Sequence, residues 1–319
     1  MKIKLLNRTV PIVSFIGAIL FSGASAQAFT LGDVFASVGN GEVNVYTPTG
    51  TLVQTLNTTL GGFTTGSAFD SQGNFYVTDF SDANLSRFNP SGTLLGNFGS
   101  GYTTAPESIV FDGSGNSFVG EAGGDHHVQK LSPTGANIGQ FFPAIENVGT
   151  DWVDLASDQH TLFYTSEGTS IKRFDVATNT QLTDFATGLP GSNAYAFRIL
   201  SDGGVLVADS NAVLRLNSSG AVTQTYLSNS GSTLLFALNL DPDNTTFWTG
   251  DSTNGNIYHL NIATGALVNT IATGAVQNLF GLSVSGQITA AVPEPPVYLL
   301  GLIGLVAVMV VPCRRWITA

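Results

Sequence analysis

The sequence predicts an all-β fold, a six-bladed β-propeller of four-stranded blades closed by pairing its N- and C-terminal strands. Three observations predict it. A turn signal recurs six times, as Pro48-Thr49-Gly50, Pro90-Ser91-Gly92, Pro133-Thr134-Gly135, Ala177-Thr178-Asn179, Ser218-Ser219-Gly220 and Ala263-Thr264-Gly265, the third residues lying 42, 43, 44, 41 and 45 apart. An aromatic residue or Leu ends the strand before each turn, at Tyr46, Phe88, Leu131, Phe174, Leu216 and Leu260, with spacings of 42, 43, 43, 42 and 44. The two ends of the array are incomplete in complementary ways.

Within one repeat, short alternating runs are separated by polar turns: Ser67-Ala68-Phe69-Asp70, Asn74 to Asp79, Asn84 to Phe88 and Thr93 to Phe98. Period-2 alternation with Gly, Asn and Asp between runs signals antiparallel hairpins. Four strands in about 40 to 45 residues make one propeller blade. Helical periodicity is absent and Thr, Ser, Asn and Gly are abundant, which disfavours an α-solenoid. The first repeat begins near Asp33 and offers three strands, around Phe35 to Val38, Val43 to Tyr46 and Thr51 to Leu56. Phe280 to Val284 reads as the missing first strand, so joining the ends closes the ring and removes exposed edges. Gln287 to Ala290 either adds to that seam or leads into the tail.

Composition divides the 319 residues into three parts. Only 10% are charged, against about 25% in an average globular chain, and the formal charge is −11. Five of the eleven basic residues sit at the ends: Lys2, Lys4, Arg8, Arg314 and Arg315. Between residues 27 and 292, six basic residues face 21 acidic ones, a net charge of −15. That balance excludes nucleic acid as a partner, since a phosphate-binding face needs clustered basic groups. Cys313 and both Met also lie at the ends, so the middle has no disulfide, Cys-zinc site or cysteine nucleophile.

Residues 1–28 combine a basic start, an apolar run from Val10 to Phe21 and the small-residue stretch Ser22 to Ala28. They read as a secretory signal peptide, with cleavage after Ala26 or Ala28. Residues 29–291 are assigned to the propeller. Residues 292–316 hold Val292-Pro293-Glu294-Pro295-Pro296, an apolar run expected to span a membrane as a helix over about 297–312, and Cys313-Arg314-Arg315. Paired arginines stay cytoplasmic, which puts the propeller outside.

The order Pro293-Glu294-Pro295, apolar helix, Arg314-Arg315 resembles the PEP-CTERM sorting signal of Gram-negative envelope proteins. The resemblance covers about 25 residues. It implies that an exosortase recognises the tail, and that the protein is membrane-anchored before it reaches the outer envelope or the extracellular space. Here Pro296 stands where a small hydroxylic residue is usual, and Cys313 precedes the arginines.

The blade consensus has an Asp before a Gly-Asn turn, an aromatic strand ending in Asp, and an Asn opening a strand that ends basic-apolar. Ala68-Phe69-Asp70-Ser71-Gln72-Gly73-Asn74-Phe75-Tyr76-Val77-Thr78-Asp79 is its clearest copy. It resembles the NHL repeat and the streptogramin-lyase-like propellers over roughly residues 33–286.

Aligned blades give columns. The acidic column ending the second strand is Asp79, Glu121, Glu167, Asp209 and Asp251, with Asn40 in the first blade. Repetition points to a structural task, a short carboxylate accepting backbone N–H groups of the following loop. The alternative is a ring at one channel mouth, with Asp79, Glu121, Asp209 and Asp251 as oxygen ligands for Ca²⁺. Regucalcin and gluconolactonase propellers use a channel cation in this way. A second acidic set, Asp70, Asp112, Asp158, Asp202 and Asp241, falls at the first hairpin turn, where Asp closes an Asx-turn. The basic column Arg87, Lys130, Arg173, Arg215 and His259 is expected to balance neighbouring carboxylates.

Histidine suits acid–base work near neutral pH. Streptogramin lyases use a channel His for elimination, and His127 or His259 are the residues to compare with it. His126 and His127 follow Gly-Gly-Asp125 in what reads as a solvated loop. No G-x-S-x-G elbow, Walker loop or H-E-x-x-H occurs. The sequence therefore predicts a non-catalytic, exported propeller with no cofactor, whose partners beyond the exosortase and the membrane are an exopolysaccharide or envelope proteins. The alternative is a hydrolase or lyase dependent on a divalent cation, with its site in the channel.

Overall fold

The six turn signals fold alike because their chemistry is local. In each, the third residue has a positive φ: Gly50 (93°), Gly92 (78°), Gly135 (85°), Gly220 (81°), Gly265 (72°) and Asn179 (54°). Asn is the non-glycine residue best suited to that region, which explains the single departure from Gly. A polar side chain just ahead of the signal closes the turn: Thr47, Asn89, Ser132 and Asn217 directly before it, Asp175 and Asn261 two residues before it. Asn89 Oδ1 accepts from Ser91 N and Thr93 N at 3.0 and 2.9 Å, and Asn217 Oδ1 does the same with Ser219 N and Ala221 N, both at 3.0 Å.

The computed structural model describes residues 28–228 and 234–287. The predicted signal peptide up to residue 27, Pro293-Glu294-Pro295, the 297–312 helix, Arg314 and Arg315 lie outside them. Among the described residues no helix is long and apolar enough to cross a membrane.

The strands in chain order are β1 (Val34–Ser37), β2 (Glu42–Tyr46), β3 (Leu52–Asn57), β4 (Thr64–Phe69), β5 (Phe75–Asp79), β6 (Asn84–Phe88), β7 (Leu94–Asn97), β8 (Pro106–Phe111), β9 (Ser117–Glu121), β10 (Val128–Leu131), β11 (Asn137–Phe141) and β12 (Val153–Leu155). They continue as β13 (Thr161–Tyr164), β14 (Lys172–Asp175), β15 (Thr180–Gln181), β16 (Ala194–Ile199), β17 (Val205–Asp209), β18 (Ala212–Leu216), β19 (Val222–Tyr226), β20 (Leu235–Leu240), β21 (Thr246–Asp251), β22 (Asn256–Asn261), β23 (Leu267–Ala272) and β24 (Gly281–Val284). They form six four-stranded antiparallel sheets, each a blade.

Blade 1 has the order β24-β1-β2-β3, so the last strand completes the first repeat. The seam pairs Val34 with Val284 and Ser37 with Gly281. Gln287 does not extend β24. Its backbone N–H turns back onto Val284 O at 2.8 Å, and its side-chain oxygen accepts from Asn239 Nδ2 at 2.7 Å.

The second strands β5, β9 and β17 are buried at every residue because each lies between two neighbouring blades. The outer strands β3, β11, β19 and β23 are mostly exposed, which is where the polar alternation of the sequence falls. Around the channel the inner strands approach so closely that only glycine fits at two points. A Cβ at Gly281 would stand 1.8 Å from Thr65 O, and one at Gly66 would stand 2.3 Å from Glu107 O.

Candidate functional site

The inner strand of a blade does not pair evenly with the second. The β4–β5, β8–β9, β16–β17 and β20–β21 registers each shift near the start of the inner strand, between Thr64 and Ser67, Pro106 and Ser108, Ala194 and Phe197, and Leu235 and Ala237. A β-bulge re-aims a side chain, and these bulges fall on one column. That column is Thr65, Glu107, Asp151, Tyr195, Phe236 and Phe280, one residue per blade.

The column gathers at one mouth of the channel into two arcs. Tyr195 and Phe236 have ring centroids 4.6 Å apart, Phe236 and Phe280 5.5 Å, and Phe280 and Phe63 5.1 Å. Opposite them, carboxylate oxygens of Glu107, Asp151 and Glu167 all lie within 4.8 Å of one another. Exposure falls from 40% at Phe63 on the rim to 3% at Glu107 and 0% at Asp151 in the depth.

Burial, reinforced by the charge of Asp151, pushes the Glu107 carboxyl well above the usual carboxylate range. Asp151 is raised as well, by burial above all, and burial also lifts Glu167. Burial, together with these three carboxylates, holds the Tyr195 phenol up at about 12. The Glu107 carboxyl is the hydrogen-bond partner of the Asp151 carboxylate, and no other described residue donates to either Asp151 oxygen.

Three residues further along the inner strands, about 10 Å, a second polar layer fills the channel. Arg198 Nε donates to Asn239 Oδ1 at 3.1 Å and its charge answers Asp154. Asp154 accepts from Ile199 N and Leu155 N at 3.0 and 2.9 Å. Asn239 Nδ2 also donates to Leu282 O at 3.0 Å. This layer is internally satisfied, whereas the mouth is not.

The predicted acidic column lies one strand outside the channel. Asp79 accepts from Ser86 Oγ at 2.7 Å, and burial raises it to about 6. Glu121 accepts from Thr103 N at 3.1 Å and from the Thr103 hydroxyl. Asp209 accepts from Gly191 N at 2.6 Å and is likewise raised by burial to about 6. Asp251 accepts from Thr253 N at 2.9 Å. Asp251 thus holds the loop that follows it, as expected, whereas Thr103 and Gly191 belong to the preceding connections that lead into the inner strands, so Glu121 and Asp209 tie those connections down instead. Of the predicted column only Glu167 reaches the acidic trio, the one such group of three among the described residues.

The predicted basic column pairs in three blades with the acid of the first hairpin turn: Lys130 with Asp112 at 3.8 Å, Arg215 with Asp202 at 3.0 Å and His259 with Asp241 at 2.6 Å. His127 is not in a solvated loop. It is 1% exposed, with Nδ1 3.7 Å from Glu121 Oε2 and Nε2 3.3 Å from Gln140 Nε2, and its backbone oxygen accepts from Thr150 Oγ1 at 3.0 Å. His127 and His259 stand apart from the channel mouth, His127 beside the end of β9 and His259 beside the hairpin turn of blade 6.

On the opposite, turn-bearing end, a cleft of about 830 Å³ is lined by Phe29, Tyr76, Arg87, Pro90 and the hairpin turns at Asp70 and Asp112. Its acids are occupied by their own turns: Asp70 accepts from Gln72 N and Asn74 N, and Asp112 from Ser114 N and Asn116 N.

Glu107, Asp151, Tyr195, Phe236 and Phe280 are the site residues that sequence reasoning missed. Their signal is a column spaced by 42, 44, 44, 41 and 44 from Thr65, hidden because its six members share no chemistry.

No family model matches the chain, and no curated protein matches it. Solved structures do match. A nidogen/laminin complex aligns with TM-score 0.65 at 15% identity, covering 81% of this chain and 100% of that one. The WD40 β-propeller domain of Doa1 aligns with TM-score 0.60 at 14% identity, covering 80% and 83%. A protein of unknown function from Bacteroides caccae aligns with TM-score 0.62 at 13% identity, covering 79% and 98%. At these identities the likeness carries the propeller fold alone.

Proposed function

We propose that this protein is an exported envelope β-propeller, sorted by an exosortase through its tail, that binds an exopolysaccharide or envelope partner at the channel mouth without catalysing a reaction. The observation that carries the binding role is the asymmetric mouth, where four aromatic rings face three carboxylates above a channel layer, Asp154, Arg198 and Asn239, that is satisfied. Concave sites with apolar walls and a few convergent polar groups are where proteins take ligands. The way the chain enters and leaves the fold supports the anchored reading. Phe29 N donates to Pro90 O at 2.8 Å and Gly32 N to Ser285 O at 2.9 Å, so both termini of the propeller lie at the turn-bearing end. A tail anchored there leaves the aromatic mouth facing away from the membrane.

Fractionation of cells expressing the full chain tests the address. Replacing Pro293, Glu294 and Pro295, or deleting Arg314 and Arg315, is expected to hold the protein unprocessed in the membrane; unchanged processing and location refute the sorting reading. Capture of native exopolysaccharide or envelope proteins by the full chain, weakened by Phe236→Ala, tests the binding role.

The acidic trio favours one second reading, a hydrolase or lyase dependent on a divalent cation. Ca²⁺ takes roughly six to eight oxygens, of which Glu107, Asp151 and Glu167 would supply a share. A thermal midpoint that neither Ca²⁺ nor Mg²⁺ moves eliminates it.

A further inference from the structure

Three carboxylates brought within 4.8 Å of one another repel, and a fold tolerates that only when protons or a cation intervene. No basic side chain of the described residues supplies the cation. Arg198 is committed to Asp154 and Asn239, Lys172 to Asp184 at 3.0 Å, Arg215 to Asp202 and Lys130 to Asp112. Arg87 and Arg173 lie on third strands, over the rings of Phe98 and Phe163. Asp151 meanwhile is fully buried, and apart from the neighbouring Glu107 carboxyl no described residue offers a donor to either of its oxygens, an arrangement that natural interiors avoid unless something occupies the site.

The other wall decides what kind of cation fits. Tyr195, Phe236, Phe280 and Phe63 present rings, not oxygens, to the space facing the acids. A hard metal ion gains little from such a wall, since it needs oxygens all round. An ammonium group on a carbon stem uses both walls. Its three N–H donors match three carboxylates, and its stem and positive charge are favoured by aromatic faces.

We propose that the channel mouth binds a primary organic ammonium ion, with Glu107, Asp151 and Glu167 accepting from the –NH₃⁺ group and Tyr195, Phe236 and Phe280 packing its carbon stem. This deepens the binding-module reading and rests on it. The ligand is the amine-bearing part of the partner.

Isothermal titration calorimetry on the purified full chain tests it, with n-butylammonium as the probe and n-butanol, tetramethylammonium and Ca²⁺ as comparisons. The expected result is that n-butylammonium binds, n-butanol does not, and tetramethylammonium, which has no N–H donor, binds more weakly. Asp151→Asn and Glu107→Gln are expected to weaken binding by about tenfold or more, and Phe236→Ala severalfold. Asp151→Asn nearly preserves the side-chain shape and removes a buried charge, so it folds, with an undiminished thermal midpoint as the check. Asp202→Asn, at the turn-bearing end, leaves binding unchanged. Absence of n-butylammonium binding, equal binding by Asp151→Asn, or displacement of the amine by stoichiometric Ca²⁺ overturns the proposal. If Phe236→Ala abolishes partner capture while n-butylammonium does not bind, the ammonium inference falls and the binding module stands. If capture ignores every mouth variant, the binding-module reading itself falls.

Discussion

Ser67 and Ser283 stand 216 residues apart in the chain and share a 2.9 Å hydrogen bond in the channel wall. The bond joins blade 2 to the strand that completes blade 1, so it marks where the ring is held shut. Gly281 sits at the same junction, its α-carbon facing Thr65 O with no room for a side chain. Gly281→Val is therefore expected to cost more than about 3 kcal/mol, since backbone has to move on both blades. Urea unfolding measures it. A loss below about 1 kcal/mol would mean that the seam is not a tight part of the fold.

A second prediction concerns blade 6. His259 lies flat on Trp248, with ring centroids 4.0 Å apart and planes 6° apart, while its Nε2 is 2.6 Å from Asp241 Oδ2. The same oxygen accepts from Trp248 Nε1 at 2.9 Å and from Thr246 Oγ1 at 2.9 Å. His259→Phe keeps the stack and removes the Nε2 contact with Asp241; His259→Ala removes both. The expected losses are about 1 and about 3 kcal/mol respectively. Equal losses would show that stacking contributes nothing.

How far the sequence reveals this molecule depends on whether the chemistry is local. The turns at Gly50, Gly92 and Asn179 were legible because one residue's φ and one side-chain acceptor define them. The closure was legible because β24 and the three-stranded first repeat each lack what the other has. The acidic column was legible as a structural tie, although Glu121 and Asp209 hold the connections between blades and not the loops that follow them. The channel mouth was not legible. Repeat alignment searches for sameness, and a ligand site breaks it, so Thr65, Glu107, Asp151, Tyr195, Phe236 and Phe280 never looked like a column. His127 was misplaced for a related reason: its burial comes from Gln140 and Thr150, which no local pattern connects to it.

The turn chemistry gives a third prediction through two opposed substitutions. Asn179 holds a left-handed conformation at φ 54°, which Gly adopts at no steric cost. Asn179→Gly is expected to leave stability within about 1 kcal/mol. Gly220 has φ 81°, and a Cβ there would stand 2.1 Å from Phe185 O, so Gly220→Ala is expected to lose about 2 kcal/mol or more. Thermal unfolding of the two variants side by side checks the contrast; indifference to Gly220→Ala would deny that the turn packs on blade 4.

The pH profile gives the fourth prediction, and its sign follows from burial. Asp79 and Asp209 are raised by burial to about 6, above the ordinary Asp value of 3.8. The folded state then binds their protons more tightly than the unfolded chain does, so stability falls as pH rises from about 4 to about 6 and stays low above. Each ionised carboxylate costs the fold about 2 to 3 kcal/mol. Glu107 and Asp151, raised in the same direction, deepen the fall and carry it toward higher pH. Asp202 works the other way: the Gly204 N–H outweighs burial and, with Arg215, holds it below its ordinary range, so its contribution is lost as pH drops below about 4. The thermal midpoint is therefore expected to peak near pH 4 to 5 and to decline toward pH 8. Asp79→Asn and Asp209→Asn should flatten the decline, because an amide pays no charge-burial penalty at either end of the range. Asp151→Asn should flatten it further, and n-butylammonium should do so most in chains that keep Asp151, by placing a cation beside the mouth carboxylates. A midpoint that climbs steadily from pH 5 to pH 8 would show instead that these carboxylates meet compensating charge when ionised.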